Sequence, residues 1–186
     1  MKKYIYTAML VLMGIVTVQA QRMLPKQKDL EVNAGILSDD KIGNDYFINV
    51  AMTINGKNGN YQFWALEYTH QYHSYKDLRI PQETYTAEGG YSLFLLGDTR
   101  KNITLNAGIT GVVGYESINR GETMLDDGAK IVGEDNFIYG AGGRLTFETY
   151  LSDRFVLVLQ GRTKVLWGTD MKQFRPSAGV GLRFNF

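Results

Sequence analysis

The chain has 186 residues, 20 Lys and Arg against 19 Asp and Glu, 44% hydrophobic residues and no cysteine. The near-neutral charge argues against a nucleic-acid-binding surface, which needs a basic excess or a basic cluster. The lack of cysteine excludes a disulfide scaffold and thiolate metal sites, and the length indicates one domain of ordinary size.

Residues 1–20 have the pattern of a secretory signal peptide. Lys2 and Lys3 precede an apolar stretch from Tyr4 to Val18, and the small Ala20 marks the predicted cleavage position. Removal of this segment leaves 18 basic and 19 acidic residues in the remaining chain, 21–186, which we expect to form one β-barrel domain. No segment of 21–186 approaches the roughly 18 consecutive apolar residues of a membrane helix. A membrane location would therefore require strands.

Eight segments of the chain alternate apolar with small or polar residues. They are residues 30–37, 46–54, 61–72, 83–96, 102–118, 136–151, 154–167 and 175–186. A period of two is typical of strands that meet different media on their two faces. Most of the segments reach the roughly 9 to 11 residues that cross a bilayer when the strand is tilted.

The polar face of these segments favours a barrel interior over a water-exposed surface. It consists mostly of Gly, Ser, Thr and Asn, with charges of both signs at Glu67, Glu88, Glu116, Glu148, Arg144, Arg162, Lys164 and Arg183. A soluble barrel, the alternative, would bury its apolar face and show water a face rich in Lys and Glu. Small residues and opposite charges instead suit the filled interior of an eight-stranded barrel.

The aromatic residues and the connections agree with a membrane barrel. Rings lie near the strand ends of the apolar face, as membrane interfaces favour; they are Trp64, Tyr68, Tyr85, Tyr115, Phe137, Phe147, Phe155, Trp167 and Phe186. Predicted long connections at 38–43, 73–82, 119–135 and 168–174 alternate with short ones at 55–60, 97–100 and 152–153. The sequence thus predicts an all-β fold, an eight-stranded antiparallel up-and-down transmembrane β-barrel of outer-membrane type.

Few residues could perform chemistry. His73, Ser74 and Asp77 lie within one predicted outer connection, and we interpret them as a solvated loop rather than a catalytic set. His70 and His73 are too few for a metal site unless carboxylates converge. The Asp pairs at 39–40 and 126–127 lack the spacing of a calcium loop. We therefore predict no catalytic, cofactor-binding or metal site, no cofactor and no enzyme activity.

Two further features of the strands have a structural interpretation. The glycine-rich "GAGGR" at 140–144 lies inside a strand pattern with no helix after it, so we expect it to relieve crowding or permit sharp barrel curvature rather than bind phosphate. The charges of the polar face could form a proton or ion path. We favour mutual pairing instead, because an unpaired buried charge costs several kcal/mol.

Five stretches carry a family resemblance. They are "RMLPKQKDLEVNAGILS", "NGKNGNYQFWALEYTHQY", "DLRIPQETYTAEGGYSLFLLGDTRKNITLNAG", "FIYGAGGRLTFETYLSDRFVLVLQGRTKVLWG" and "FRPSAGVGLRFNF". Together they resemble the conjugal transfer protein TraO family of Bacteroides-type conjugative transposons. The spacing of Gly181, Phe184 and Phe186 also resembles the C-terminal insertion signal of bacterial outer-membrane barrels, although Gly179 replaces its usual polar residue.

The resemblance implies a function that strand patterns alone do not show. The family belongs to transfer operons whose products build a type IV secretion-like mating apparatus for DNA transfer. We expect an outer-membrane component with a structural or accessory role in conjugation in a Gram-negative cell. Its partners would be outer-membrane lipid and other transfer-apparatus proteins, without direct nucleic-acid binding; the sequence leaves the oligomeric state open. A surface adhesin or exclusion protein and a rim enzyme are the alternatives.

Overall fold

The computed structural model describes residues 24–38, 45–75, 78–99, 102–119 and 135–186. The side chains of residues 74–79 are not among those described. The described residues form eight strands: β1 (Lys28–Leu37), β2 (Tyr46–Asn55), β3 (Tyr61–Tyr75), β4 (Leu78–Gly97), β5 (Ile103–Ile118), β6 (Asn136–Tyr150), β7 (Phe155–Trp167) and β8 (Phe174–Asn185). The predicted signal peptide at 1–20 lies outside the described residues.

The strands form a closed antiparallel barrel. Each strand pairs with the next along the chain, and β8 pairs back to β1 from Asp29↔Asn185 to Leu37↔Ser177. The backbone N–H of Phe186 donates to Lys28 O at 3.2 Å, which extends this junction to the last residue. The predicted fold class is therefore confirmed, and closure leaves no unpaired strand edge around the wall.

The barrel has two ends that differ in their connections. One end carries the connections 56–60, 98–102 and 151–154 together with the C-terminus, and we call it the turn end. The other carries the connections 38–45, 76–77, 119–135 and 168–173, and we call it the loop end. The short turns are tightly bonded; Gly56 N–H, for example, donates to Asn60 O at 2.7 Å.

One predicted connection is wrong in extent. Residues 73–82 were expected to be a loop, but β3 runs to Tyr75 and β4 begins at Leu78. β2 pairs with β3 only as far as His70, and β5 pairs with β4 only as far as Gln82. Residues 71–75 and 78–81 therefore form a two-stranded ribbon, about 16 Å long at about 3.3 Å per residue, beyond the neighbouring strands. Pro81 lies within this extension, and it is tolerated there because no third strand needs the N–H that proline lacks.

The outer wall of the barrel is apolar. Its exposed large hydrophobic residues come from all eight strands, including Leu30, Ile48, Leu66, Leu93, Ile109, Leu145, Leu159 and Leu182. An apolar surface that surrounds the whole molecule far exceeds the patches that water-soluble monomers expose. The predicted orientation of the two faces is thus confirmed, with small and charged side chains inside. In the described part of the chain, no helix has the length and apolar character needed to span a membrane.

Candidate functional site

The interior near the turn end is organised around one arginine. The Arg183 side chain is 1% exposed; its Nε donates to Glu31 Oε2 at 2.7 Å, and its two terminal nitrogens donate to the Glu148 carboxylate at 2.9 Å. Arg144 adds a second cation at 3.4 Å from Glu31 Oε1. Arg183 pairs with Glu31 on the neighbouring β1 and with Glu148 on β6, and its guanidinium also lies 4.7 Å from the centre of the Tyr61 ring.

A second charged layer lies nearer the loop end. Arg162 Nη1 is 2.5 Å from Glu67 Oε2, and Lys164 Nζ is 2.6 Å from Glu67 Oε1. Lys164 also pairs with Glu88, so two cations face two carboxylates. All four side chains are buried. The prediction that the interior charges pair with one another is confirmed for these residues, and the sequence had indicated both signs but not the partners.

Two phenylalanines fill the space between the charges, and sequence analysis missed them. The Cζ atom of Arg162 lies 4.0 Å from the centre of the Phe47 ring, and the Cζ atom of Arg144 lies 4.3 Å from the centre of the Phe63 ring. Each ring occupies space that a side chain would need on a paired strand: a Cβ on Gly35 would be 2.5 Å from Phe47, and one on Gly90 would be 2.5 Å from Phe63. Phe47 and Phe63 each lie an even number of residues from the polar positions of their strands. That spacing was the sequence signal that could have placed both rings on the interior face.

The loop end of the interior opens into a cavity. Arg175 forms its floor and donates to Glu116 Oε2 and Thr169 Oγ1 at 2.6 and 3.0 Å. Above it lies a cavity of about 340 Å³, whose lining includes Gln71 and Gln82. We call it the loop-end cavity. A second, much smaller space of about 20 Å³ is lined by residues that include Arg175 and the Glu67 layer.

The two histidines lie in different environments. His73 lines the loop-end cavity and its Nε2 is hydrogen-bonded to the side-chain oxygen of Gln82. His70 faces the outside of the barrel, where it contacts the rings of Tyr46, Tyr68 and Tyr72. The structure therefore does not bring them together. The Ser74 backbone lies in β3, its side chain is not described, and Asp77 lies outside the described residues.

The remaining sequence candidates do not form a site in the described residues. No group of three His, Cys, Asp or Glu side chains in the described ranges could hold a metal ion. The Asp pairs at 39–40 and 126–127 lie outside those ranges. The "GAGGR" stretch lies within β6, where a Cβ on Gly140 would be 2.2 Å from Val165 O and one on Gly142 would be 2.9 Å from Thr163 O. These glycines therefore allow close strand approach, as the sequence predicted.

Comparison with known families identifies the chain. The family model described as conjugative transposon protein TraO matches residues 24–186, which include every described strand. The chain belongs to the TraO family. No curated protein sequence matches it. Membership in TraO ties this barrel to conjugative transposons and confirms the resemblance seen in the sequence.

Solved structures share the fold of this TraO-family chain. Neisserial surface protein A is similar with a TM-score of 0.60 and 14% identity, over 87% of this chain and 97% of that one. The N-terminal β-barrel domain of Pseudomonas aeruginosa OprF is similar with a TM-score of 0.53 and 10% identity, over 87% and 98% of the two chains. At such low identity the likeness concerns the architecture alone.

Proposed function

We propose that this chain is an outer-membrane β-barrel component of a conjugative transposon's DNA-transfer apparatus, with a structural or accessory role. The observation that carries the proposal is the TraO family match over residues 24–186 on a chain whose barrel wall is apolar all round. The family supplies the link to conjugation. The wall supplies the link to a membrane, because burying each large apolar side chain in hydrocarbon gains about 1.5 to 3 kcal/mol.

Fractionation of the producing cells tests the location. The proposal predicts that the protein sediments with outer membranes, requires detergent for extraction, and migrates differently on gels before and after heating. Recovery of the folded protein from the soluble periplasmic extract without detergent would contradict it. The predicted signal peptide is tested in the same material by sequencing the mature N-terminus, which is expected at Gln21.

The filled interior supports an accessory role over that of a DNA conduit. Two layers of paired charges and the rings of Phe47 and Phe63 occupy the lumen between the loop-end cavity and the turn end. Eight-stranded barrels generally have interiors just wide enough for side chains to fill. DNA would therefore pass through other proteins of the apparatus, and this chain would support or position them.

Gene deletion tests the role in transfer. We expect loss of the gene to reduce transfer frequency or mating-pair stability, and expression of the wild-type gene from a second locus to restore them. Crosslinking followed by copurification from outer-membrane fractions is expected to recover other transfer proteins. Unchanged transfer and unchanged pair stability in the deletion strain would refute the role, even if the protein is an outer-membrane barrel.

The projecting ribbon favours surface recognition as a second candidate function. Residues 71–75 and 78–81 extend beyond the neighbouring strands at the loop end, where a surface adhesin or exclusion protein would contact another cell. This candidate predicts that exchange of residues 119–135 between related elements changes recipient choice without changing barrel assembly. The structural role predicts that the exchange leaves recipient choice unchanged.

We also propose that this protein is not an enzyme. The described partner of the His73 Nε2 is the side-chain oxygen of Gln82, an uncharged group that stabilises an imidazolium less than a carboxylate would. His73→Ala tests this point: a rim enzyme would lose an outer-membrane lipid or peptide modification, whereas the proposal predicts an unchanged lipid profile.

A further inference from the structure

The loop-end cavity presents two polar atoms without partners. Gln71 and Gln82 face each other across the β3–β4 pair and both point into the barrel. Gln71 is 5% exposed and Gln82 is 1% exposed, yet Gln71 Oε1 and Gln82 Nε2 have no hydrogen-bond partner in the described structure. One is an acceptor and the other a donor. A buried polar atom without a partner is costly, so these two require a ligand or ordered water.

The rest of the cavity indicates what kind of ligand fits. Its volume of about 340 Å³ lies within the range of small-molecule sites. Its lining combines polar groups with the apolar surfaces of Leu37, Phe174 and Pro176. The polar groups are the two carboxamides, His73, Ser38, Lys172 and Arg175, and the charge of Arg175 is paired with Glu116. His73 is hydrogen-bonded to the side-chain oxygen of Gln82, so the Nε2 of Gln82 points away from that bond.

We propose that the loop-end cavity is a saccharide-binding site, with Gln71 and Gln82 as its recognition residues. A sugar hydroxyl both donates and accepts, so neighbouring hydroxyls of one ring satisfy Gln71 Oε1 and Gln82 Nε2 together. The apolar lining covers the C–H surface of the ring. A ligand with acceptors only, such as a phosphodiester, would leave Gln71 Oε1 unsatisfied. The saccharide belongs either to lipopolysaccharide of the same outer leaflet or to a glycan of a neighbouring cell.

Titration of the purified full-length barrel in detergent micelles tests this site. Probes are D-glucose, D-mannose, D-galactose and D-glucuronate, then lipopolysaccharide core oligosaccharide and capsular oligosaccharide as separate arms. We expect at least one probe to shift the side-chain amide NMR signals of Gln82 saturably, with the oligosaccharide arms identifying the source. No saturable shift with any probe up to about 10 mM would overturn the proposal and leave water as the partner of both atoms.

Matched variants locate the binding. Gln82→Glu keeps the oxygen that meets His73 but removes the donor, and we expect it to weaken binding about tenfold; Gln71→Leu removes the acceptor and should act similarly. Gln160→Leu is the control, since Gln160 is also buried with an unpartnered Nε2 but does not line the cavity. Heat-modifiable gel mobility verifies that each variant is folded. Folded Gln71→Leu and Gln82→Glu variants that bind as the wild type does would refute the site. The proposed role in transfer is tested separately, by gene deletion.

Discussion

At the residue scale, Arg183 is the side chain on which the most interior contacts depend. Its guanidinium bonds the carboxylates of Glu31 and Glu148 and contacts the hydroxyl of Tyr61 at 3.3 Å. Bidentate bonding to a carboxylate requires the planar fork of arginine, which lysine lacks. Glu31 retains Arg144 as a second partner, whereas the described cation partner of Glu148 is Arg183. Loss of Arg183 therefore affects Glu148 most.

Replacement of Arg183 by Met is expected to lower the free energy of unfolding by about 3 to 5 kcal/mol, because it leaves a buried carboxylate without its partner. Urea unfolding of the barrel in lipid vesicles, followed by heat-modifiable mobility, measures the loss. Arg154→Met, at an exposed arginine in the β6–β7 turn, is the control and should change stability by less than about 0.5 kcal/mol.

The double variant Glu148→Gln/Arg183→Met separates the charge from the packing. Neutralising Glu148 removes the unpaired charge, so the double variant should be more stable than Arg183→Met alone in the same urea titration. A double variant as unstable as the sum of the two single variants would show that the ion pair is not what Arg183 contributes.

At the element scale, the junction of β1 with β8 closes the barrel and tolerates little change. Gly181 pairs with Asn33, and a Cβ on it would be 1.9 Å from Asn33 Oδ1 and 2.7 Å from Val32 O. The second contact is with backbone, which can move only if the junction opens. Gly161 in the neighbouring β7 offers a contrast, since a Cβ there meets nothing within 4 Å.

The paired variants Gly181→Ala and Gly161→Ala test this contrast. Gly181→Ala is expected to destabilise the barrel by about 1 to 3 kcal/mol through overpacking and to reduce the amount assembled in membranes. Gly161→Ala should be neutral or stabilising by up to about 1 kcal/mol, because alanine restricts the unfolded chain more than glycine does. Equal effects in urea unfolding would show that the junction is not sterically tight.

The β3–β4 ribbon is the element that assembly should not require. The described residues 73–75 and 78–80 pair only within the hairpin, so replacing 73–80 by Asn-Gly removes no pairing with β2 or β5. We expect the shortened protein to assemble with normal heat-modifiable mobility. Failure of assembly would mean that the ribbon contributes to barrel folding rather than to surface contacts.

At the scale of the whole molecule, the barrel is a plugged cylinder. Phe47 and Phe63, each under a guanidinium, stand between the charge layers. In planar lipid bilayers we expect the wild-type protein to show no stepwise current. Phe47→Ala/Phe63→Ala should introduce conductance, because the two rings are the largest apolar groups in that section of the lumen. Conductance in the wild type would contradict the filled interior and reopen the question of transport.

The sequence alone determined the strand number, the two faces and the positions of the connections, apart from the extent of the one between β3 and β4. These features depend on local patterns: a period of two, turn residues, and aromatic rings near strand ends. Six of the eight predicted segments lie within two residues of the observed strands at both ends, and the exceptions are the end of β3 and the start of β4. The alternation of apolar and polar residues did not predict the ribbon, because its two strands extend through pairing with each other and not through a change in composition.

Only the tertiary structure decided which charges pair, which rings fill the lumen and where a cavity remains. Glu31 and Arg183 are far apart along the chain and meet because β8 closes on β1; Glu67 meets Lys164 across the interior. The unpartnered atoms of Gln71 and Gln82 likewise become visible only when the surrounding side chains are in place. The physical reason is that alternation specifies a face, whereas contact across a closed barrel depends on register and on the width of the lumen.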